Sequence, residues 1–104
     1  MSSPTQRSIK HLHDEGYETW VVEYWNAFAR QRVDMWGCID IVAIRPGETL
    51  AVQTTSDSNV SARVHKITEN KYLGAMRKAG WRVECHGWKK GKNGRYALRV
   101  VDLS

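Results

Sequence analysis

The sequence predicts an α/β protein in which helices cover a mixed β-sheet on both sides. The segment patterns run helix, three strands, helix, two strands (αβββαββ), the order of a layered α/β core. Two neighbouring runs, Ile39 to Ile44 and Leu50 to Val52, carry apolar side chains on both faces, as central strands covered on each side require. The 104 residues include five Trp and four Tyr, enough to pack a core and too few in number to build two. One domain, residues 1–104, is therefore expected.

Each element has a local reason. Pro4 to Glu15 reads as a first helix, with Ser3 or Thr5 to cap it, Pro4 in the first turn and Gly16 as the stop. Tyr17 to Trp25 is rich in Thr, Val, Tyr and Trp and reads as a strand. Asn26 to Trp36 has no clean period and reads as a connection. Ile39 to Ile44 and Thr49 to Thr55 form a hairpin across Arg45-Pro46-Gly47-Glu48, where Pro then Gly suits a type II turn. Ser56 to Asn59 offers caps for a helix over Val60 to Ala79, with Asn70 and Gly74 as the points where it would divide. Trp81 to Trp88 is the next strand, Lys89 to Gly94 a basic turn, and Arg95 to Leu103 the last strand.

The net charge of +5 is unevenly spread. Met1 to Ala51 holds five basic residues against seven acids, while Val52 to Ser104 holds eleven against four. A cationic half beside an acid-bearing half suits a protein that uses a metal and grips a polyanion, although a solvated basic surface would look the same. No run approaches the length of a membrane span, and Met1 to Lys10 has no apolar signal region, so a cytoplasmic location without membrane contact is expected. Cys38 and Cys85 lack metal-ligand spacing and read as buried free thiols.

Two polar residues interrupt the apolar strands. A turn centred between Pro46 and Gly47 sets Asp40 directly opposite Gln53, with Thr55 two residues along on the same face. A carboxylate and an amide carbonyl converging there are hard oxygen ligands of the kind Mg²⁺ takes, and a metal would explain an acid in a dry strand. The spacing equally allows Asp40 at a strand end bonded to a backbone amide, with Gln53 satisfied by a neighbour.

The segment Asp34-Met35-Trp36-Gly37-Cys38-Ile39-Asp40, the hairpin, and Val52-Gln53-Thr54-Thr55 together resemble the core of the PD-(D/E)XK nuclease superfamily. Restriction enzymes and Holliday-junction resolvases belong to it, and the nearest variant is the Mrr type, with Gln in the second motif. The match spans about Asp34 to Lys66. The resemblance implies a restriction-endonuclease-like core and a Mg²⁺- or Mn²⁺-dependent nuclease acting on DNA. It makes Asp40 the metal-binding acid, Gln53 the second ligand, and Thr55 the occupant of the position where the family carries a catalytic Lys. Thr has no positive charge to steady a hydroxide or a phosphorane. Some members place that cation on the following helix, where Arg63 and Lys66 lie three apart on one face. Asp34 is a further acidic ligand or a turn cap; Glu15 and Glu23 have nothing in the sequence to direct them to the site.

Arg30, Arg32, Arg63, Lys66 and the basic turn Lys89, Lys90, Lys92, Arg95 are the expected phosphate contacts. Trp36 and Trp88 are the candidates for stacking on bases, and core packing is the ordinary use of either. His11 and His13 face different ways on a helix; His65 and His86 read as surface or satisfied core residues. Three functions follow in order: a metal-dependent phosphodiesterase, a catalytically silent nucleic-acid-binding module of the same fold, and a fold serving protein assembly alone. A homodimer would be a natural way to address two strands.

Overall fold

The structure, a computed structural model, describes residues 3–104. Helix α1 (Pro4–Asp14) starts at a reciprocal cap: the Ser3 hydroxyl accepts from the Gln6 backbone N–H and the Gln6 side chain accepts from the Ser3 N–H. Strand β1 (Glu18–Val21) follows a left-handed Gly16. A short hairpin, β2 (Tyr24–Asn26) with β3 (Gln31–Val33), then leaves the body, and the chain returns as β4 (Ile41–Arg45) and β5 (Glu48–Ser56). A 3₁₀ turn (Asp57–Asn59), α2 (Val60–Thr68) and α3 (Leu73–Lys78) cross over to β6 (Arg82–Lys90), which turns into β7 (Tyr96–Asp102).

The five-stranded sheet has the order β1-β4-β5-β6-β7 and is mixed, because the crossover makes β5 and β6 parallel while every other pair is antiparallel. The β4–β5 register pairs Ile41 with Val52 and Arg45 with Glu48, as a turn centred on Pro46-Gly47 requires, and Gly47 takes the positive φ of a type II turn. Alternation along β5 then sorts the core. Leu50 and Val52 face α1 with Leu12, Ile41 and Ala43; Ala51 faces α2 and α3 with Ile67, Leu73, Met76, Val83 and Cys85. Helices therefore cover both faces. Cys38 and Cys85 are buried free thiols, each raised in pKa by burial.

The expected order αβββαββ is wrong in two places. The run Tyr17 to Trp25 is not one strand: β1 stops at Val21, and Tyr24 and Trp25 begin a separate strand β2, whose partner β3 lies inside the segment expected to be a connection. The helix over Val60 to Ala79 divides at Glu69 to Tyr72, where the Asn70 carbonyl and side chain accept from Leu73 N and Tyr72 N; Gly74 does not break it and lies inside α3.

Polar side chains tie α1 to the sheet. The buried Ser8 hydroxyl bridges Trp88 Nε1 and His86 Nδ1 at 2.9 Å each, and His86 Nε2 lies 3.0 Å from Glu84. Arg82 joins Glu84 to Glu48, which also accepts from the Tyr17 hydroxyl at 2.6 Å and from Arg45. These donors, Tyr17 first, bring Glu48 down to about 2. Ser8 and His86 are sealed from solvent, so this serine–histidine–glutamate line is a strut, not a nucleophile.

Candidate functional site

The site forms where β1 and β5 end and β4 begins, beside α2. Asp40 immediately precedes β4 and is held at both backbone groups: its N–H donates to Val52 O, and its carbonyl accepts from Val22 N. Its side chain is 3 % exposed. One carboxylate oxygen accepts from Gln53 Nε2 at 2.5 Å, from Thr54 N at 2.8 Å and from Thr54 Oγ1 at 3.2 Å. The sequence expectation of neighbouring Asp40 and Gln53 is met, and so is the alternative of a backbone amide on Asp40.

Gln53 presents its NH₂ group to the acid, whereas a ligand would present its carbonyl. Its Oε1 is buried without a hydrogen-bond partner among the described residues. An orphaned buried oxygen costs about 1–3 kcal/mol. Amide orientation follows its neighbours, and turning this one over would exchange Oε1 for Nε2 beside Asp40. That orientation is repelled by a bare carboxylate and favoured by a cation or a proton beside it.

Asp40 is one of three converging acids. Glu23, Asp34 and Asp40 each bring a carboxylate oxygen into a group lying within 4.8 Å of one another. Burial, followed by the charges of Asp34 and Glu23, lifts Asp40 from 3.8 to about 7, and the Thr54 N–H opposes the rise. Two cations already answer the other acids. Lys66 Nζ lies 3.2 Å from Asp34, and Arg32 lies 3.4 Å from Glu23. The donor set, three carboxylates and an unsatisfied amide oxygen, fits a hard divalent cation.

These groups open into a cleft of about 890 Å³, lined by Glu23, Asp34, Asp40, Thr55, Arg63 and Lys66 together with the start of α1. Arg63 makes no ion pair among the described residues and faces this space from α2. Thr55 sits on the cleft wall, buried, on the same face of β5 as Gln53.

Of the residues expected at the site, Asp34, Asp40, Gln53, Thr55, Arg63, Lys66 and Arg32 come together here. Arg30 does not: it takes a left-handed φ of 54° in the β2–β3 turn and is absent from the cleft wall. Lys89, Lys90, Lys92 and Arg95 also lie off the wall, on the β6–β7 hairpin. Trp36 packs on Tyr72 and Trp81, each with ring centroids 5.6 Å away, and keeps 41 % exposure, while Trp88 donates to Ser8; neither lines the cleft. Glu23 is the residue the sequence reading left out. Its signal was the β1–β4 register: pairing Val21 with Ile41 sets Val22 against Asp40 and carries the next residue to the acid.

No family model matches this chain, and comparison with curated proteins and with solved structures returns no match. Among the described residues, no helix is long and apolar enough to cross a membrane.

Proposed function

We propose that this chain is a Mg²⁺- or Mn²⁺-dependent phosphodiesterase that cuts DNA, on a restriction-endonuclease-like core. One observation carries the reading: three carboxylates on separate segments converge within 4.8 Å beside a buried amide oxygen that has no partner. Burial first, and then the charges of Asp34 and Glu23, raise Asp40 to about 7. A cation removes the repulsion.

A bound divalent ion would lower the pKa of its water and neutralise charge on the phosphate. The chain supplies the rest. Glu23, Asp34 and Asp40 would hold the ion, with Gln53 turned to offer Oε1. Lys66 and Arg63, one turn apart on α2, face the cleft where a scissile phosphate would lie, and Lys66 stands in for the Lys that Thr55 replaces. Hydrolysis joins a water oxygen to phosphorus and breaks the bond to the leaving sugar oxygen, which takes a proton from solvent.

A second reading has its own support. Lys66 on Asp34 and Arg32 on Glu23 neutralise two of the three acids internally, as in a site that has given up its ion and grips DNA by charge alone. Incubating supercoiled plasmid with Mn²⁺ or Mg²⁺ separates the two. The enzyme nicks or linearises it, EDTA stops the reaction, and Asp40→Asn abolishes it while the fold persists. A parent protein that binds DNA without cutting it under any divalent ion is the silent module.

A further inference from the structure

The β2–β3 hairpin is a sheet of its own and shares no strand pairing with the five-stranded sheet. A lone two-stranded hairpin is marginal in water, and one that keeps large aromatic side chains in solvent is more so. This one exposes Tyr24, Trp25 and Phe28, and Trp20 of the adjoining strand β1 is 76 % exposed. Apolar groups gathered in this way on a soluble protein mark a surface that meets something.

Its shape is held locally. The Asn26 side-chain oxygen accepts from Phe28 N and Ala29 N, both at 3.1 Å, which closes the turn and leaves Phe28 wholly in solvent at the tip. Trp25 pairs directly with Arg32, so the two side chains share one face of the hairpin. Arg32 also lines the acidic cleft and reaches Glu23. Trp25 therefore lies on the side of the arm that adjoins the candidate site, and Arg30 and Arg32 give that arm a positive charge.

We infer that the β2–β3 arm is a base-stacking element, with Trp25 and Phe28 receiving unpaired bases of the strand whose phosphates enter the cleft. The inference rests on the phosphodiesterase reading and deepens it: the substrate class is DNA with single-stranded or locally unpaired segments. Bases of a regular duplex keep their faces stacked inside, where an aromatic tip cannot use them, whereas every unpaired base offers a π-face. The arginines select a polyanion as the occupant. A second copy of the chain would instead bring two cationic arms and two molecules of net charge +5 together.

The test is the affinity of the parent, Trp25→Ala and Phe28→Ala for labelled oligodeoxythymidylate and for a blunt mixed-sequence duplex, by fluorescence anisotropy in EDTA. Neither side chain packs in the core, so both variants fold, as circular dichroism checks. Each is expected to weaken single-strand binding about tenfold, with little change on the duplex. Equal losses on both forms, or none on either, overturn the inference. So does a parent that binds no oligonucleotide. Sedimentation at the same concentrations covers the rival occupant: a parent dimer that both variants dissociate, with affinity unchanged, makes the arm a self-association surface. Plasmid cutting by the parent and by Asp40→Asn is read separately. If the parent does not cut, or Asp40→Asn cuts as the parent does, while the arm variants lose single-strand affinity, the cleft reading falls and the arm stands. If cutting obeys Asp40 while the arm variants bind as the parent does, only the arm inference falls.

Discussion

Lys66 reaches from α2 to within 3.2 Å of the Asp34 carboxylate, which brings a primary amine beside the acids in the cleft that Thr55 also lines. A cation in that position has two opposed effects. It competes with a bound ion for Asp34, and it stabilises charge on a phosphate undergoing attack. Lys66→Met, which keeps length and removes charge, is therefore expected to tighten Mn²⁺ binding while slowing plasmid cleavage by about a hundredfold or more. Calorimetry and a cleavage time course read the two effects separately. Thr55→Lys in the Lys66→Met background should recover part of the rate, because it returns an amine to the same wall. Weaker metal binding in Lys66→Met, or unchanged cutting, would remove Lys66 from the chemistry.

Asp40 makes stability depend on pH. Its carboxyl sits near 7 in the fold and near 3.8 when unfolded, so the folded protein binds the proton more tightly. Below about pH 4 both states are protonated and no penalty exists. As pH rises to about 7 the penalty grows, and above that it is fully present. Asp40→Asn keeps an acceptor for Thr54 N and removes the charge. Without metal, it should gain on the order of 2 kcal/mol over the parent at pH 8 and much less at pH 4. Urea denaturation at the two pH values measures this. Mg²⁺ should raise the parent's midpoint at pH 8 and leave that of Asp40→Asn unmoved. A variant equally destabilised at both pH values would mean that Asp40 is a structural acceptor only.

Gly87 sets how closely the α2 entrance lies on the sheet. A Cβ there would stand 2.2 Å from Val60 Cγ2 and 3.3 Å from the Asp57 backbone, and Gly87 pairs with Thr55 of the cleft wall. Val60 is buried and cannot swing away. Gly87→Ala should cost about 2 kcal/mol or more, read as a lower urea midpoint with an unchanged slope. Adding Val60→Ala removes the clashing methyl and should cost less than the two single losses together. Simple additivity would show that the clash is relieved elsewhere.

Several of these features were legible from residue order alone. The turn at Pro46-Gly47 determined the β4–β5 register and hence the contact of Asp40 with Gln53, because hairpin pairing follows from turn geometry. Cap chemistry located α1, and Asn70 marked the division of the helical segment. The β2–β3 arm was not legible, because its aromatics face solvent and so break the periodicity by which burial reveals strands. Glu23 was missed for a related reason: β1 pairs with β4 across an insertion, and no local signal states that register. The sequence marked Trp36 and Trp88 as aromatic without distinguishing them from Trp25, which shares a hairpin face with the cleft residue Arg32. Only the tertiary contacts of Trp36 with Tyr72 and Trp81, and of Trp88 with Ser8, separate them.

The basic hairpin tip is reached through the parallel pair. Because β5 and β6 run the same way, Ser56 at the cleft lies opposite Trp88, and Lys89 and Lys90 continue past the end of β5 while still paired with β7. The turn beyond is closed: Gly91 N donates to Arg95 O, Gly94 N to Gly91 O, and Arg95 N to the Asn93 side chain. Lys89, Lys90, Lys92 and Arg95 thus stand exposed on an ordered tip at the cleft end of the sheet, off its wall. Such cations would hold phosphates away from the one being cut. Each phosphate neutralised on duplex DNA contributes about −0.9 to the slope of log affinity against log salt. Replacing all four with Gln should therefore flatten the slope by about 3 and weaken binding alike for every base sequence. Catalysis on DNA already bound should be preserved, since none of the four lines the acidic cleft. An unchanged slope would turn the tip away from the nucleic acid and leave Arg32, Arg63 and Lys66 as the cations in contact with it.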